Sequence, residues 1–143
     1  MTYKGIVTAL VTPMKEDGSL DEKGFRNLLQ FQMNKNIDGI LILGGTGEYL
    51  ALSDTQRRRA IAIAVNEVDG NVPLYVGLLS PGINDNIQIG KYAKDAGVDA
   101  VMVITPYYLS PTQEGMMDYY RQINQALDMP ILLYNYPRSE ERV

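Results

Sequence analysis

The chain has 143 residues, 45% of them hydrophobic, which suits a domain of ordinary size with its own core. A formal charge of -4 and a pI of about 4.8 argue against nucleic acid or an anionic membrane as the main partner. Cysteine and histidine are both missing, which removes disulfides, thiolate chemistry and the commonest general base and metal ligand. Proton transfer falls to Tyr, Lys, Asp or Glu.

The opening residues lack a basic stretch followed by a long apolar core, and no apolar run approaches membrane length, so a cytoplasmic protein is expected. In chain order, the first apolar run is Ile6 to Val11, and Phe25, Leu28, Leu29 and Gln32-Met33 follow at helical spacing, with Asp21 as a cap. The second run, Gly39 to Leu43, leads into a glycine loop. A helix carrying Ile61, Ala64-Val65 and Val68 then starts at the capping box Ser53-Asp54-Thr55-Gln56. Pro73 punctuates the third run, Val72 to Leu78, and the next helix, with Ile89, Tyr92-Ala93 and Ala96, takes Asn84 as cap and Gly97 as stop. The fourth run is Ala100 to Thr105. Ser110-Pro111-Thr112-Gln113 reads as a second capping box, with Pro at the first helical position, before Met116, Tyr120, Ile123 and Leu127. Pro130 precedes the last run, Ile131 to Tyr134.

These runs are continuous in hydrophobicity rather than alternating, as expected of parallel strands covered on both faces. A βαβαβαβαβ chain with right-handed crossovers follows. Two architectures fit that pattern: a complete doubly wound sheet, or part of a closed eight-stranded barrel of ~250 residues. Both put function at the carboxyl ends of the strands.

After the second strand stands Gly44-Gly45-Thr46-Gly47-Glu48-Tyr49. A P-loop would need Lys-Ser/Thr after the last glycine, and the dinucleotide fingerprint fails because the run from Gly45 ends in Leu50. Exposed loop amides and the Thr46 hydroxyl suit a small carboxylate, while a plain tight turn is the other reading. Tyrosine supplies ten of the twelve aromatics, and several stand at strand ends, in Thr105-Pro106-Tyr107-Tyr108 and Tyr134-Asn135-Tyr136-Pro137. Rim packing explains any one of them, and a hydrogen-bonded phenol can also relay protons.

Taken together, Gly5 to Pro13 with Lys15-Glu16-Asp17-Gly18, Gly44 to Glu48, Thr105 to Tyr108 with Pro111 to Gly115, and Leu133 to Pro137 resemble the dihydrodipicolinate synthase / N-acetylneuraminate lyase family. The resemblance implies a partial (β/α)8 TIM barrel: residues 1–137 as the amino-terminal half, strands one to five with four helices, and 138–143 as a charged tail. It implies class I aldolase chemistry, in which a sixth-strand lysine forms a Schiff base with pyruvate or another 2-oxo acid and no metal or cofactor takes part. Carried over by motif, Tyr134 is the proton shuttle, Thr46 holds the carboxylate between Gly45 and Gly47, and Tyr108 reaches a neighbouring subunit's site. Gly45 replaces a hydroxyl residue of the usual proton relay, and Arg138 falls one position early for its family role. Lys4, Lys15, Lys23, Lys35, Lys91 and Lys94 all lie away from strand carboxyl ends, so no Schiff-base amine is expected among them.

A half barrel leaves strand edges and an apolar interior uncovered, from which a homo-oligomer is expected. Three readings stay open: a lyase by descent that is inactive alone, one half of a split enzyme, or a non-catalytic 2-oxo-acid binder or structural half-barrel.

Overall fold

The structure is a computed structural model, and it describes residues 4–108 and 111–136. Its elements in order are β1 (Val7–Ala9), α1 (Glu22–Met33), β2 (Gly39–Ile42), a 3-10 turn (Tyr49–Ala51), α2 (Asp54–Val68), β3 (Leu74–Leu78), α3 (Ile83–Ala96), β4 (Ala100–Ile104), α4 (Gln113–Leu127) and β5 (Ile131–Tyr134). Residues 138–143, expected as a charged tail, lie outside the described residues.

All neighbouring strands are parallel, and the five strands run in the order β1-β2-β3-β4-β5. That order decides between the two architectures. A doubly wound sheet reverses its strand order at a switch point and sends helices to both faces, whereas sequential right-handed crossovers put every helix on one face. Each helix accordingly packs on the next, α1 on α2, α2 on α3 and α3 on α4. The result is a curled parallel half-barrel, strands one to five of a (β/α)8 barrel.

The register sorts the side chains. Thr8, Ile40 and Leu74 share one row, and Ile42, Val76, Val101 and Ile131 another. With Leu78 and Val103 these point to the helices, where Ile40, Ile42, Val76, Leu78, Val101 and Val103 meet Ile61, Ala64, Ile89, Ala93, Ile123 and Leu127 in the buried core. The opposite rows, Ala9-Leu41-Tyr75-Ala100 and Gly77-Met102-Leu132, line the inner face of the curl. That face is only partly closed: Val7 and Ala9 are exposed, and Leu41, Met102 and Leu132 are half-buried.

The strands are shorter than the apolar runs, for local reasons. The Ile6 amide donates to the Asp38 carboxylate (2.7 Å) instead of extending β1. Pro73 has no N–H to give, so β3 opens at Leu74 while the Pro73 carbonyl accepts from Ile40 N (2.9 Å). Two helix starts also differ from expectation. Gly82, not Asn84, is the N-cap of α3, since Ser80 and Asn86 already hold that turn. Thr112 caps α4 by accepting from Gly115 N (3.1 Å), so Pro111 precedes the cap; Ser110 lies outside the described residues. Asp21 caps α1, Ser53 and Gln56 form the reciprocal capping box of α2, and Gly97 ends α3 in the left-handed conformation.

Candidate functional site

The loop after β2 is shaped by a tight turn under a packed ceiling. Leu43 leaves the strand with φ +57°, a left-handed conformation uncommon outside glycine, and swings the chain over β3. Gly77 makes this crossing possible, because a Cβ there would overlap the Leu43 carbonyl. The loop then folds back on itself: Glu48 N donates to Gly45 O (3.1 Å), and Glu48 takes φ +55°. Gly47 is buried against Leu10 O and Leu43 N, and its carbonyl accepts the Thr12 hydroxyl at 2.7 Å. Gly47 therefore anchors the loop to the end of β1.

The loop's far side is fixed by Tyr49 and Arg57. Tyr49 is 1% exposed, and the Arg57 guanidinium lies over its ring at 4.2 Å while Arg57 Nε donates to the Tyr49 carbonyl (3.0 Å). Burial pushes the Tyr49 phenol up to about 12 from its ordinary 10.0, against the opposing effect of Arg57. Among the described residues its hydroxyl is the buried side-chain polar atom that finds no hydrogen-bond partner.

Beside this loop, Asn86 ties the end of β3 to α3 and α4. Its carboxamide oxygen accepts from Ser80 N (3.0 Å), and its amide nitrogen donates to Ser80 O and to the Tyr119 hydroxyl, both at 2.9 Å. Burial raises the Tyr119 phenol, with the Asn86 hydrogen bond acting the other way. Sequence reading passed over Asn86 and Tyr119, which carry this buried link. A polar residue amid the apolar face of α3 was the available signal.

At the carboxyl ends of the strands lies an open groove of about 300 Å³, lined by Gly45, Leu50, Leu79, Ile104, Tyr107, Tyr134 and Tyr136. Gly45 and Tyr134, singled out from opposite ends of the chain, thus face one space. Ile104 and Tyr134 are paired across β4 and β5 on the inner face, and the alternation that aims Tyr134 inward also brings in Tyr136. The two rings stand 6.3 Å apart, tilted by 56°. Tyr107 enters from the loop after β4, its hydroxyl donating to Leu79 O at 3.4 Å. Thr46 is exposed on the loop next to Gly45 and is not among the groove's walls. Tyr108 is 87% exposed and is not among the walls of this groove; it is the neighbouring Tyr107 that lines it.

A second hollow of about 220 Å³ adjoins the first and shares Gly45, Leu50 and Leu79 with it, continuing to Glu48, Tyr49 and Ala51. Glu48, a wall of the second hollow only, is the charged residue among the lining of the two. An anion bound here would rely on loop amides and hydroxyl groups, not on a cation. All six lysines are exposed, and none lies at a strand's carboxyl end. Lys94 is occupied at the end of α4, where its ammonium donates to Leu127 O and Asp128 O, both at 2.9 Å.

Comparison with known proteins agrees with this architecture. The model of the dihydrodipicolinate synthetase family matches residues 2–142. The 4-hydroxy-tetrahydrodipicolinate synthase of Protochlamydia amoebophila is 43% identical over 135 residues, which is 94% of this chain and 45% of that protein. Among solved structures, the prophage protein YagE of E. coli K12 in complex with pyruvate superposes with a TM-score of 0.93 at 28% identity, covering 99% of this chain and 47% of its own. The dihydrodipicolinate synthase of Acinetobacter baumannii complexed with pyruvate gives 0.93 at 34% identity, covering 98% and 48%. The chain spans about half the length of the curated relatives it matches. No helix among the described residues is long and apolar enough to cross a membrane. On its sequence and its fold alike, the chain belongs to the dihydrodipicolinate synthetase family.

Proposed function

We propose that this chain forms the carboxylate-holding and proton-handling side of a site for pyruvate or a related 2-oxo acid, serving Schiff-base lyase chemistry whose amine it does not itself supply. The observation that carries the reading is the shared groove of Gly45 and Tyr134 at the strand ends. Two structural neighbours are described as pyruvate complexes, which supports the choice of ligand. In this reading the loop amides from Gly45 to Gly47 and the Thr46 hydroxyl take the carboxylate, so the 2-oxo group is turned toward Tyr134. The Tyr134 phenol gives a proton to the carbonyl oxygen as an amine adds, takes one back from the amine nitrogen, and gives it to the resulting hydroxyl so that water can leave. Tyr108, exposed and clear of its own groove, is assigned to a neighbouring copy's site.

An amine able to attack must be neutral, and so desolvated among its partners. The six exposed lysines do not meet that requirement. The chain alone is therefore a 2-oxo-acid binder, and lyase turnover requires a lysine brought to the open side of the groove. A complementary half that carries the amine is the second reading, supported by β5 standing at the edge of the sheet among the described residues. A cytoplasmic setting and self-association through the uncovered faces belong to the same proposal.

The test is calorimetric titration with pyruvate. Without a cation in the groove, saturable binding with Kd on the order of 1 mM is expected, equivalent to about 4 kcal/mol. Tyr134→Phe and Thr46→Val should each weaken it by about 1 kcal/mol, the worth of one hydrogen bond. Absence of saturation, or an affinity in both variants unchanged from that of the original chain, would overturn the proposal.

A further inference from the structure

We infer that Gly45 sets the length of the acid this rim accepts, and that the chain prefers 2-oxo acids longer than pyruvate with an uncharged far end. The inference rests on the 2-oxo-acid reading above and extends it from the carboxylate to the rest of the ligand.

Gly45 lacks the reasons that hold its neighbours. A Cβ on Gly47 would press on the Leu43 and Leu10 backbone, and one on Gly77 would overlap the Leu43 carbonyl. A Cβ on Gly45 would meet nothing within 4 Å, and its φ lies outside the left-handed region. Neither backbone conformation nor close packing demands glycine there, so what its bareness creates is space. That space has a definite place. Gly45 is a wall of both hollows, the one of about 300 Å³ at Tyr134 and the one of about 220 Å³ at Glu48 and Ala51. Any side chain at this position would stand where the two meet. With hydrogen in its place they form one trough, leading from the tyrosines past Leu50 and Leu79 toward Glu48.

The walls specify the guest. The stretch between the two ends is lined by Leu50 and Leu79, which offer methylene contacts and no hydrogen bonds. Glu48 at the far end repels a second carboxylate. An acid with an aliphatic chain of three or four carbons beyond the 2-oxo group matches this order of surfaces; a 2-oxo diacid does not.

The experiment is a nitrogen-15 NMR titration of the whole chain with pyruvate, 2-oxobutanoate, 2-oxopentanoate, 2-oxohexanoate and 2-oxoglutarate, repeated on Gly45→Thr and Gly45→Ser. In the wild-type chain affinity should rise about two- to fourfold per added methylene. The diacid should bind about fivefold more weakly than 2-oxopentanoate, its counterpart of equal carbon number with an uncharged far end. Gly45→Thr should cut the ratio of 2-oxohexanoate to pyruvate affinity by about tenfold, the gain of two methylenes, and Gly45→Ser by less. Affinity that falls with chain length in the wild-type chain, or a ratio unmoved by Gly45→Thr, would overturn the assignment of Gly45 while leaving the pyruvate site standing. If no acid of the series, pyruvate included, gives saturable shifts, both readings fall. The wild-type series decides the matter even if a variant fails to fold.

Discussion

At the scale of single residues, the Tyr49 hydroxyl is the buried side-chain polar atom that lacks a partner among the described residues, on a ring that is otherwise fully packed. A buried unsatisfied group costs about 1–3 kcal/mol, and removing it without changing the shape relieves that cost. Tyr49→Phe should therefore raise the midpoint of urea unfolding, by about 1 kcal/mol in stability. It should also alter the response to base. The folded-state phenol titrates near 12 and the unfolded one near 10, so folding favours the protonated form. The stability this lends is present below pH 10 and is lost as pH rises from there toward 12. The variant should lose that part of the slope. A less stable Tyr49→Phe protein would show that the hydroxyl is satisfied after all. Of the site itself, sequence could offer Gly45 and Tyr134 because motifs name residue types in order. It could not offer Tyr107 over Tyr108, since both share a motif and only the path of the loop after β4 turns one of them inward.

At the scale of elements, the helices were legible from period and caps, and the faults were confined to their first residues. Serine, threonine and asparagine crowd the starts of α3 and α4, and the choice among them depends on which hydroxyl or carboxamide is already spoken for. Asn86, turned in to Ser80 and Tyr119, shows how that choice is made by tertiary contacts. Packing between helices was not legible. Gly90 reads as a flaw in α3, yet a Cβ there would come within 2.6 Å of Leu127 Cδ1 on α4 and 3.2 Å of Leu78 Cδ1 beneath it. Its bareness lets α3 and α4 approach over β3. Gly90→Ala fits only if Leu127 moves, and Gly90→Val must pry the pair apart. The expected cost of the valine change is about 1–3 kcal/mol, as for overpacked cores generally, measured by urea denaturation. A neutral result would mean that α4 is not seated as described.

For the molecule as a whole, the strand order settled an issue that composition and periodicity left open. Doubly wound sheets and barrels use the same βα units, and what separates them is which strand lies beside which. Among the described residues the half-barrel has β1 and β5 as its edge strands and a partly open inner face. Ile6 is 71% exposed and Val7 41% beside the first edge, and Leu133 is 67% exposed on the last strand. On the helix side of β5, Leu133 joins Met116, Met117 and Tyr120 around a hollow of about 300 Å³, where a following helix would lie if the repeat continued. Free strand edges flanked by apolar side chains favour association. Light scattering at micromolar concentration should accordingly give a mass of at least twice 16.0 kDa. A clean mass of 16.0 kDa would count against self-association.

In the proposed function this chain grips a 2-oxo acid while none of its six lysines is placed to bond it. Incubation with pyruvate and borohydride, followed by intact mass spectrometry, tests it most directly, because borohydride makes any imine permanent. The chain should keep its unmodified mass. A stable increment of one reduced pyruvate, mapped to any of the six lysines, would contradict it.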